Sequence, residues 1–192
     1  MDWKEAQKWE LEWHLNNPFI YREQVKQEVY EEKMGILQDY ADRDLKGQNI
    51  VDIGAGEQSM LLRYKNFTGI ALDPLMNSFP GWVRQRYEEN HILPVSESGE
   101  IIVLGQPKSD EVWMYNVLQH VEDPQLICNN ALDKGKIVRV FEWIENGLSD
   151  GHIQNLHESE LNKWFGGKGC VEKLDDRGCV GLSYYGIFKG HT

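Results

Sequence analysis

Hydrophobic and polar positions follow two different patterns along the chain. In roughly the first 45 residues, apolar side chains recur at helical spacing and Pro18 interrupts them, which predicts helices over 3–15 and 20–44. Gly47 is predicted to end the second helix. Beyond it, short apolar runs predominate and enter turns. These runs predict buried strands at 49–53, 68–72, 100–104, 111–115 and 136–141.

Helical stretches separate most of these strands and define the fold class. They are predicted at 57–65, 80–89 and 124–132, with a further helix at 158–165. Strands that alternate with helices form βαβ units, so an α/β fold with a parallel sheet is predicted. The last apolar runs, 170–174 and 183–189, are separated by a short turn. Because a parallel crossover needs about a dozen residues or more, this final pair is predicted to be antiparallel.

Charge and cysteine content narrow the function classes. The 192 residues carry a formal net charge of −11, which disfavours a broad grip on nucleic-acid phosphate and favours a neutral or cationic small ligand. No apolar run approaches the length of about 20 residues that a membrane helix needs. Three widely spaced cysteines and an N-terminus without an apolar core predict a reduced, cytoplasmic protein. We therefore expect neither nucleic acid nor a membrane as a partner, and the oligomeric state, including a homodimer, stays open.

A glycine turn and a carboxylate carry the strongest chemical signal. Gly54 and Gly56 follow a predicted strand and precede a predicted helix, where a ligand can approach the backbone and its N–H groups. Asp73 ends the next strand, at a distance from the turn that suits hydrogen bonds from both ribose hydroxyls. An ordinary turn and an exposed turn carboxylate are the alternatives. Together the two features indicate a nucleoside-bearing ligand at the carboxyl ends of the strands.

The residues around the turn favour a cationic nucleoside over a dinucleotide. Ser59 stands where a dinucleotide motif prefers a final glycine or alanine. Asp52 lies two residues before the first glycine, where its negative charge would be unfavourable beside a pyrophosphate. A ligand with an ammonium and a sulfonium group suits this position better.

Three segments now resemble a known family. VDIGAG at 51–56, LDP at 72–74 and DEVWMYNVLQHVEDP at 110–124 are similar to the class I S-adenosylmethionine-dependent methyltransferases, especially the small-molecule type 11 branch. The resemblance covers roughly residues 48–190. It implies a Rossmann-like three-layer sandwich, a seven-stranded sheet with an antiparallel last strand, and S-adenosylmethionine as cofactor. We expect an N-terminal helical lid at 1–46 and a methyltransferase-like domain at 47–192.

The resemblance also assigns residues to the cofactor. It places Asp52, Gly54, Ala55 and Gly56 at the methionine moiety, Asp73 and Pro74 at the ribose, Gln106 near the adenine and Asn116 at the methyl group. Gln58 stands where the family has a third glycine, which is a departure. This departure and the shortened 105–109 region motivate an alternative function, a non-catalytic protein of this fold that binds S-adenosylmethionine or a partner. A nicotinamide enzyme is a third reading.

Two histidines are the candidates for catalysis. His120 follows the fourth predicted strand and is placed to act as a general base, although it would also suit a packed helix position. His152 belongs to the segment where the family builds its acceptor pocket, or is a surface-loop histidine. No metal is expected, because the spacing around His120 is not that of a ligand set. The predicted reaction is methyl transfer to a small molecule, for example to a hydroxyl of a sugar.

The N-terminal segment is unusually aromatic. Trp3, Trp9 and Trp13 are dense for a surface helix. In one interpretation they pack the helices onto the sheet. In the other they form a lid that excludes water from the methyl donor.

Overall fold

The computed structural model describes residues 2–16, 20–101, 108–149 and 151–191. The helices are α1 (Trp3–Asn16), α2 (Ile20–Lys33), α3 (Ile36–Asp39), α4 (Gly81–Glu89), α5 (Pro124–Lys134) and α6 (Glu158–Trp164). The strands are β1 (Asp44–Ile53), β2 (Lys65–Leu72), β3 (Ile92–Val95), β4 (Ser109–Tyr115), β5 (Gly135–Ile144), β6 (Cys170–Asp176) and β7 (Cys179–Lys189). Three short 3-10 turns lie at Met60–Arg63, Gly99–Ile101 and Leu118–His120.

The described strands form one mixed sheet in the order β3-β2-β1-β4-β5-β7-β6. Strands β1 to β5 are mutually parallel, whereas β7 is antiparallel to both β5 and β6. This confirms the predicted α/β fold with an antiparallel closing pair. The chain turns in opposite directions after β1 and after β4, and such a switch point opens a crevice at the carboxyl ends of the strands.

Both faces of the sheet are buried, which the central strand β4 illustrates. Val112 and Met114 belong to one core cluster, whereas Trp113 and Tyr115 belong to the other. Successive side chains of a strand point to opposite faces, so the two clusters lie on either side of the sheet. Helix α5 covers one face with its apolar side. Helices α2 and α3 contribute Tyr30 and Ile36 to the cluster on the other.

The prediction of one long helix over 20–44 is wrong. Gly35 has φ 69°, a left-handed conformation that ends right-handed helix geometry, and α3 continues only to Asp39. Strand β1 begins at Asp44, so Gly47 lies inside a strand and does not end a helix. The sequence misled because Ile36 and Leu37 continue the apolar spacing past the glycine.

The predicted helix at 57–65 is also wrong, since only Met60–Arg63 form a short 3-10 turn. The amides of Ser59 and Met60 donate to the hydroxyls of Tyr87 and Tyr115, at 2.9 and 3.0 Å. These distant side chains satisfy backbone donors that the start of such a short turn leaves without a partner.

The third strand is not where the sequence predicted it. Glu100 and Ile101 belong to a 3-10 turn, and 102–104 lie outside the described residues. The third strand is instead Ile92–Val95, a short edge strand that contains Pro94 and pairs with β2. Within the described parts of the chain, no helix is long and apolar enough to cross a membrane.

Candidate functional site

A cavity of about 380 Å³ lies at the carboxyl ends of β1, β2 and β4. The strand ends and the loops after them form one wall. Helix α1 forms the opposite wall with Trp3, Gln7, Glu10 and His14. These α1 residues recur every three or four positions, so they share one face of the helix.

The glycine turn folds back on the end of β2. The amides of Gly54 and Ala55 both donate to the carbonyl of Leu72, at 2.8 and 3.2 Å. Gly54 has φ 73°, and a Cβ there would lie 2.2 Å from Cγ2 of Val117. Glycine is therefore required at this position both by the backbone conformation and by the close approach of the loop after β4.

Asp73 lies against the same turn. Its Oδ2 accepts from the Gly56 amide at 2.9 Å, and its Oδ1 accepts from the Leu75 amide at 2.8 Å. Burial raises the pKa of this carboxyl, although the two backbone donors oppose the rise. Asp73 and Pro74 both line the cavity, so the turn and the carboxylate form one continuous wall.

Asp52 behaves differently from the other predicted cofactor residues. It is completely buried and is not among the residues that line the cavity. The hydroxyls of Ser59 and Tyr115 donate to its Oδ2 at 2.5 and 2.6 Å. Burial raises its pKa to about 7. Its observed contacts therefore brace the turn from the interior, whereas the resemblance placed it at the methionine moiety.

Side chains from α4 and α2 that the sequence did not single out hold the turn in place. The hydroxyl of Tyr87 donates to the Gly56 carbonyl at 2.9 Å. Gln58, at the place of the family's third glycine, is buried, and its Oε1 accepts from Arg86 at 2.6 Å. The Gln27 amide donates to the Gln58 carbonyl at 2.6 Å, which links α2 to the turn.

The loop after β4 carries Asn116 and His120 to the cavity. Asn116 has φ 56°, and its Oδ1 accepts from Gln119 Nε2 at 2.7 Å. Glu142 lies beneath the loop and accepts from the amides of Val117 and Leu118, each at 3.1 Å. Burial raises the pKa of Glu142 to about 8, against the opposing effect of these donors. The carboxyl group thus fixes the loop without lining the cavity.

The structure brings the two candidate histidines together. The rings of His120 and His152 meet edge to face, with centroids 4.7 Å apart. Nδ1 of His120 lies 2.9 Å from the carbonyl oxygen of Gly151. Because a carbonyl only accepts, this nitrogen carries a proton and Nε2 is the basic nitrogen of the neutral ring. Burial, with help from His120, lowers the pKa of His152.

Helix α1 contributes a carboxylate and a histidine that sequence reasoning missed. Oε1 of Glu10 lies 3.5 Å from Nε2 of His14, and Oε2 lies 3.3 Å from Nδ1 of His120. Burial lowers the pKa of His14, but Glu10 and Glu57 outweigh it and raise the value to about 9. The helical spacing of Gln7, Glu10 and His14 was the available signal, since a polar stripe beside tryptophans is unusual for a packed helix.

Eight of the ten predicted site residues line this one cavity: Gly54, Ala55, Gly56, Asp73, Pro74, Asn116, His120 and His152. Asp52 lies behind it, and Gln106 lies outside the described residues. Among the residues that the structure describes, no three His, Cys, Asp or Glu side chains are grouped as a metal ion would require.

The order and directions of the strands are those of the Rossmann-like fold seen in solved structures of S-adenosylmethionine-dependent methyltransferases. The N-methyltransferase NodS from Bradyrhizobium japonicum WM9, in complex with S-adenosyl-L-homocysteine, has a TM-score of 0.64 at 11% identity. That alignment covers 86% of this chain and 87% of that chain. Magnesium protoporphyrin IX methyltransferase from Synechocystis PCC 6803 has a TM-score of 0.62 at 13% identity, over 87% and 84% of the two chains.

A third similar structure is the N-terminal domain of EvdMO1, solved in the presence of S-adenosylhomocysteine and D-fucose. It has a TM-score of 0.56 at 14% identity, with 83% of each chain covered. No protein-family model matches this chain, and no curated protein matches it. At such low identity the likeness shows the fold, and the activity has to be argued from the site.

Proposed function

We propose that this protein transfers a methyl group from S-adenosylmethionine to a small molecule. The hydrogen bond from the Gly56 amide to Asp73 carries the proposal, because it joins the glycine turn and the acidic residue in one cavity wall. Similar structures of three different proteins were solved with S-adenosylmethionine or its demethylated product, which supports the same cofactor here.

The residues present fit this cofactor. The cavity of about 380 Å³ is within the usual range for small-ligand sites. Its walls include the carboxylates of Glu10, Glu57 and Asp73, which suit a ligand with a positive sulfur and an ammonium group. When bound, S-adenosylmethionine would supply a methyl group to the acceptor. The acceptor's lone pair would form the new bond to the methyl carbon, and the electrons of the carbon–sulfur bond would remain on sulfur.

Each part of the site then has a separate task. Asp73 accepts hydrogen bonds from the ribose hydroxyls, with Pro74 beside it, and the turn from Gly54 to Gly56 faces the methionine end. Asn116 faces the methyl group from the loop that Glu142 holds. Helix α1 excludes water with its tryptophans. The protein's main contribution is alignment, which can lower the barrier by roughly 7–11 kcal/mol.

The acceptor that we propose is a hydroxylated small molecule such as a sugar. Gln7 and Gln27 line the cavity, and Oε1 of each is buried without a hydrogen-bond partner. The Gln27 amide nitrogen donates to the Gln58 carbonyl, which orients that side chain. An acceptor molecule with several hydroxyls would supply the missing donors, since unpaired buried polar atoms are costly. His120 takes the proton of the reacting hydroxyl.

Isothermal calorimetry tests the cofactor assignment. Wild-type protein should bind S-adenosylmethionine, and Asp73→Ala should weaken binding by about 1.5–3 kcal/mol, or roughly 10- to 150-fold. Asp175→Ala is the matched control, because Asp175 is exposed on β6 at the far edge of the sheet. Equal affinities for the wild type and Asp73→Ala would remove Asp73 from the cofactor site.

Turnover separates the enzyme from its alternatives. A labelled methyl group should appear on at least one member of a panel of sugars and other hydroxylated compounds. Firm cofactor binding without transfer to any panel member would favour the non-catalytic protein. A rise in melting temperature with a nicotinamide dinucleotide, and none with S-adenosylmethionine, would favour the third reading.

A further inference from the structure

The carboxylate of Glu10 connects two parts of the cavity that lie far apart in the sequence. One of its oxygens faces His14, whose ring lies over the glycine turn, with Cε1 3.6 Å from where a Cβ on Gly56 would be. The other oxygen faces Nδ1 of His120 at 3.3 Å and has no hydrogen-bond partner of its own, although it is buried. A buried carboxylate oxygen beside an imidazole N–H is placed to stabilise a positive charge on that ring.

We propose that Glu10 is a positioning residue for His120, which directs Nε2 of that histidine to the acceptor and stabilises the imidazolium that forms. This proposal rests on the proposed function, in which His120 is the base. Nδ1 of His120 keeps its proton between the Gly151 carbonyl and Glu10, while Nε2 takes the proton of the reacting hydroxyl. The ring then carries one positive charge, and the carboxylate of Glu10 lies beside it.

The surroundings of His120 are consistent with this role. The Gln119 side-chain amide lies 3.4 Å from Nε2 and donates to a basic nitrogen there, which matches a proton on Nδ1. Two charged or titratable groups face His120, namely Glu10 on α1 and His152 on the following loop. His14 affects His120 indirectly, because it shares the carboxylate of Glu10. Of these, only Glu10 is an anion, so its loss should make protonation of His120 harder.

The pH dependence of histidine modification by diethyl pyrocarbonate tests the proposal without cofactor or acceptor. The reagent acylates unprotonated imidazole. His120 is the only histidine between Lys108 and Lys134, so mass spectrometry of that tryptic peptide reports on it alone. In Glu10→Gln, His120 should react about 3- to 10-fold faster than in the wild type at pH 5.5, and within about twofold of it at pH 8.

Glu12→Gln is the matched control, because it makes the same charge change on the same helix at an exposed side chain. It should leave the rates at both pH values unchanged. Equal rates for wild type and Glu10→Gln at pH 5.5 would overturn the proposal. So would an increase by the same factor at both pH values, because a side chain that merely covers His120 would act independently of pH.

His14→Gln tests the same idea with the opposite sign. It removes the cation that shares Glu10, so His120 should be easier to protonate and should react more slowly than in the wild type at pH 5.5. This arm keeps the proposal falsifiable if Glu10→Gln does not fold. A rate at pH 5.5, taken relative to the rate at pH 8, that is unchanged or higher than in the wild type would contradict it. Calorimetry with S-adenosylmethionine is read separately, so a protein that binds no cofactor fails the proposed function but not this measurement.

Discussion

Helices α1 and α5 both contribute to the cavity wall, but they differ in the side chains that face the rest of the protein. Helix α5 buries Ile127, Cys128, Ala131 and Leu132 against the sheet. In α1, Trp3–Asn16, only Ala6 is fully buried, and the residues toward the cavity are three tryptophans together with the polar Gln7, Glu10 and His14. A helix that packs mainly on a core buries an apolar face, as α5 does.

The difference indicates a division between stability and function. The apolar side of α5 removes hydrocarbon from water and so contributes to the free energy of folding. Helix α1 is attached by Trp9 and by polar contacts to groups that line the cavity, among them Glu57 and His120. Such contacts contribute less to folding but define the site. The sheet and α5 therefore supply the hydrophobic core, whereas the strand ends and α1 supply the polar groups of the site.

The sharpest test of this division is to remove the same side chain from each helix. Leu132→Ala on α5 should lower the free energy of unfolding by about 2–5 kcal/mol, because Leu132 is only 2% exposed and the substitution leaves a cavity in the core. Leu11→Ala on α1 should cost less than about 1 kcal/mol, since Leu11 is only partly buried. Urea denaturation measures both, and equal losses would show that α1 belongs to the stabilising core.

The glycine turn lies between the two regions and can be examined with a matched glycine. Gly54 and Gly47 have similar left-handed φ values, 73° and 79°. A Cβ at Gly54 would overlap Val117, whereas nothing lies within 4 Å of one at Gly47. Gly54→Ala should therefore cost about 1–3 kcal/mol more than Gly47→Ala, the usual penalty for overpacking. If denaturation gave equal losses, the contact with Val117 would not matter.

The sequence was sufficient for the features that depend on neighbours along the chain. Four of the five parallel strands follow from apolar runs, and the glycine turn and Asp73 follow from their spacing after two of them. Strand β3 was missed because it has four residues and contains a proline, which is rare in strands. Its position depends on pairing with β2 at the sheet edge.

The supports of the site could not be predicted in the same way. Tyr87 reaches the turn from α4, Glu142 reaches the loop after β4 from β5, and Glu10 reaches His120 from the first helix. Each contact depends on how distant segments pack, which a single sequence does not encode locally. Asp52 shows the reverse case, since its place in the motif suggested a ligand contact and its burial gives it an interior partner instead.

The smallest effect expected concerns how firmly α1 is held at different pH values. Burial opposes protonation of His14, but Glu10 and Glu57 raise its pKa to about 9, from 6.5. A histidine with a raised pKa stabilises the docked helix fully below pH 6.5, and this contribution is lost as the pH rises through about 9.

Hydrogen exchange in α1 should be roughly 5- to 10-fold faster in His14→Gln than in the wild type at pH 6, a difference of about 1–1.4 kcal/mol. The ratio of the two rates, which cancels the intrinsic pH dependence of exchange, should approach one above pH 9. A ratio that stays constant with pH would mean that His14 holds α1 by packing on Phe79 and not by its charge.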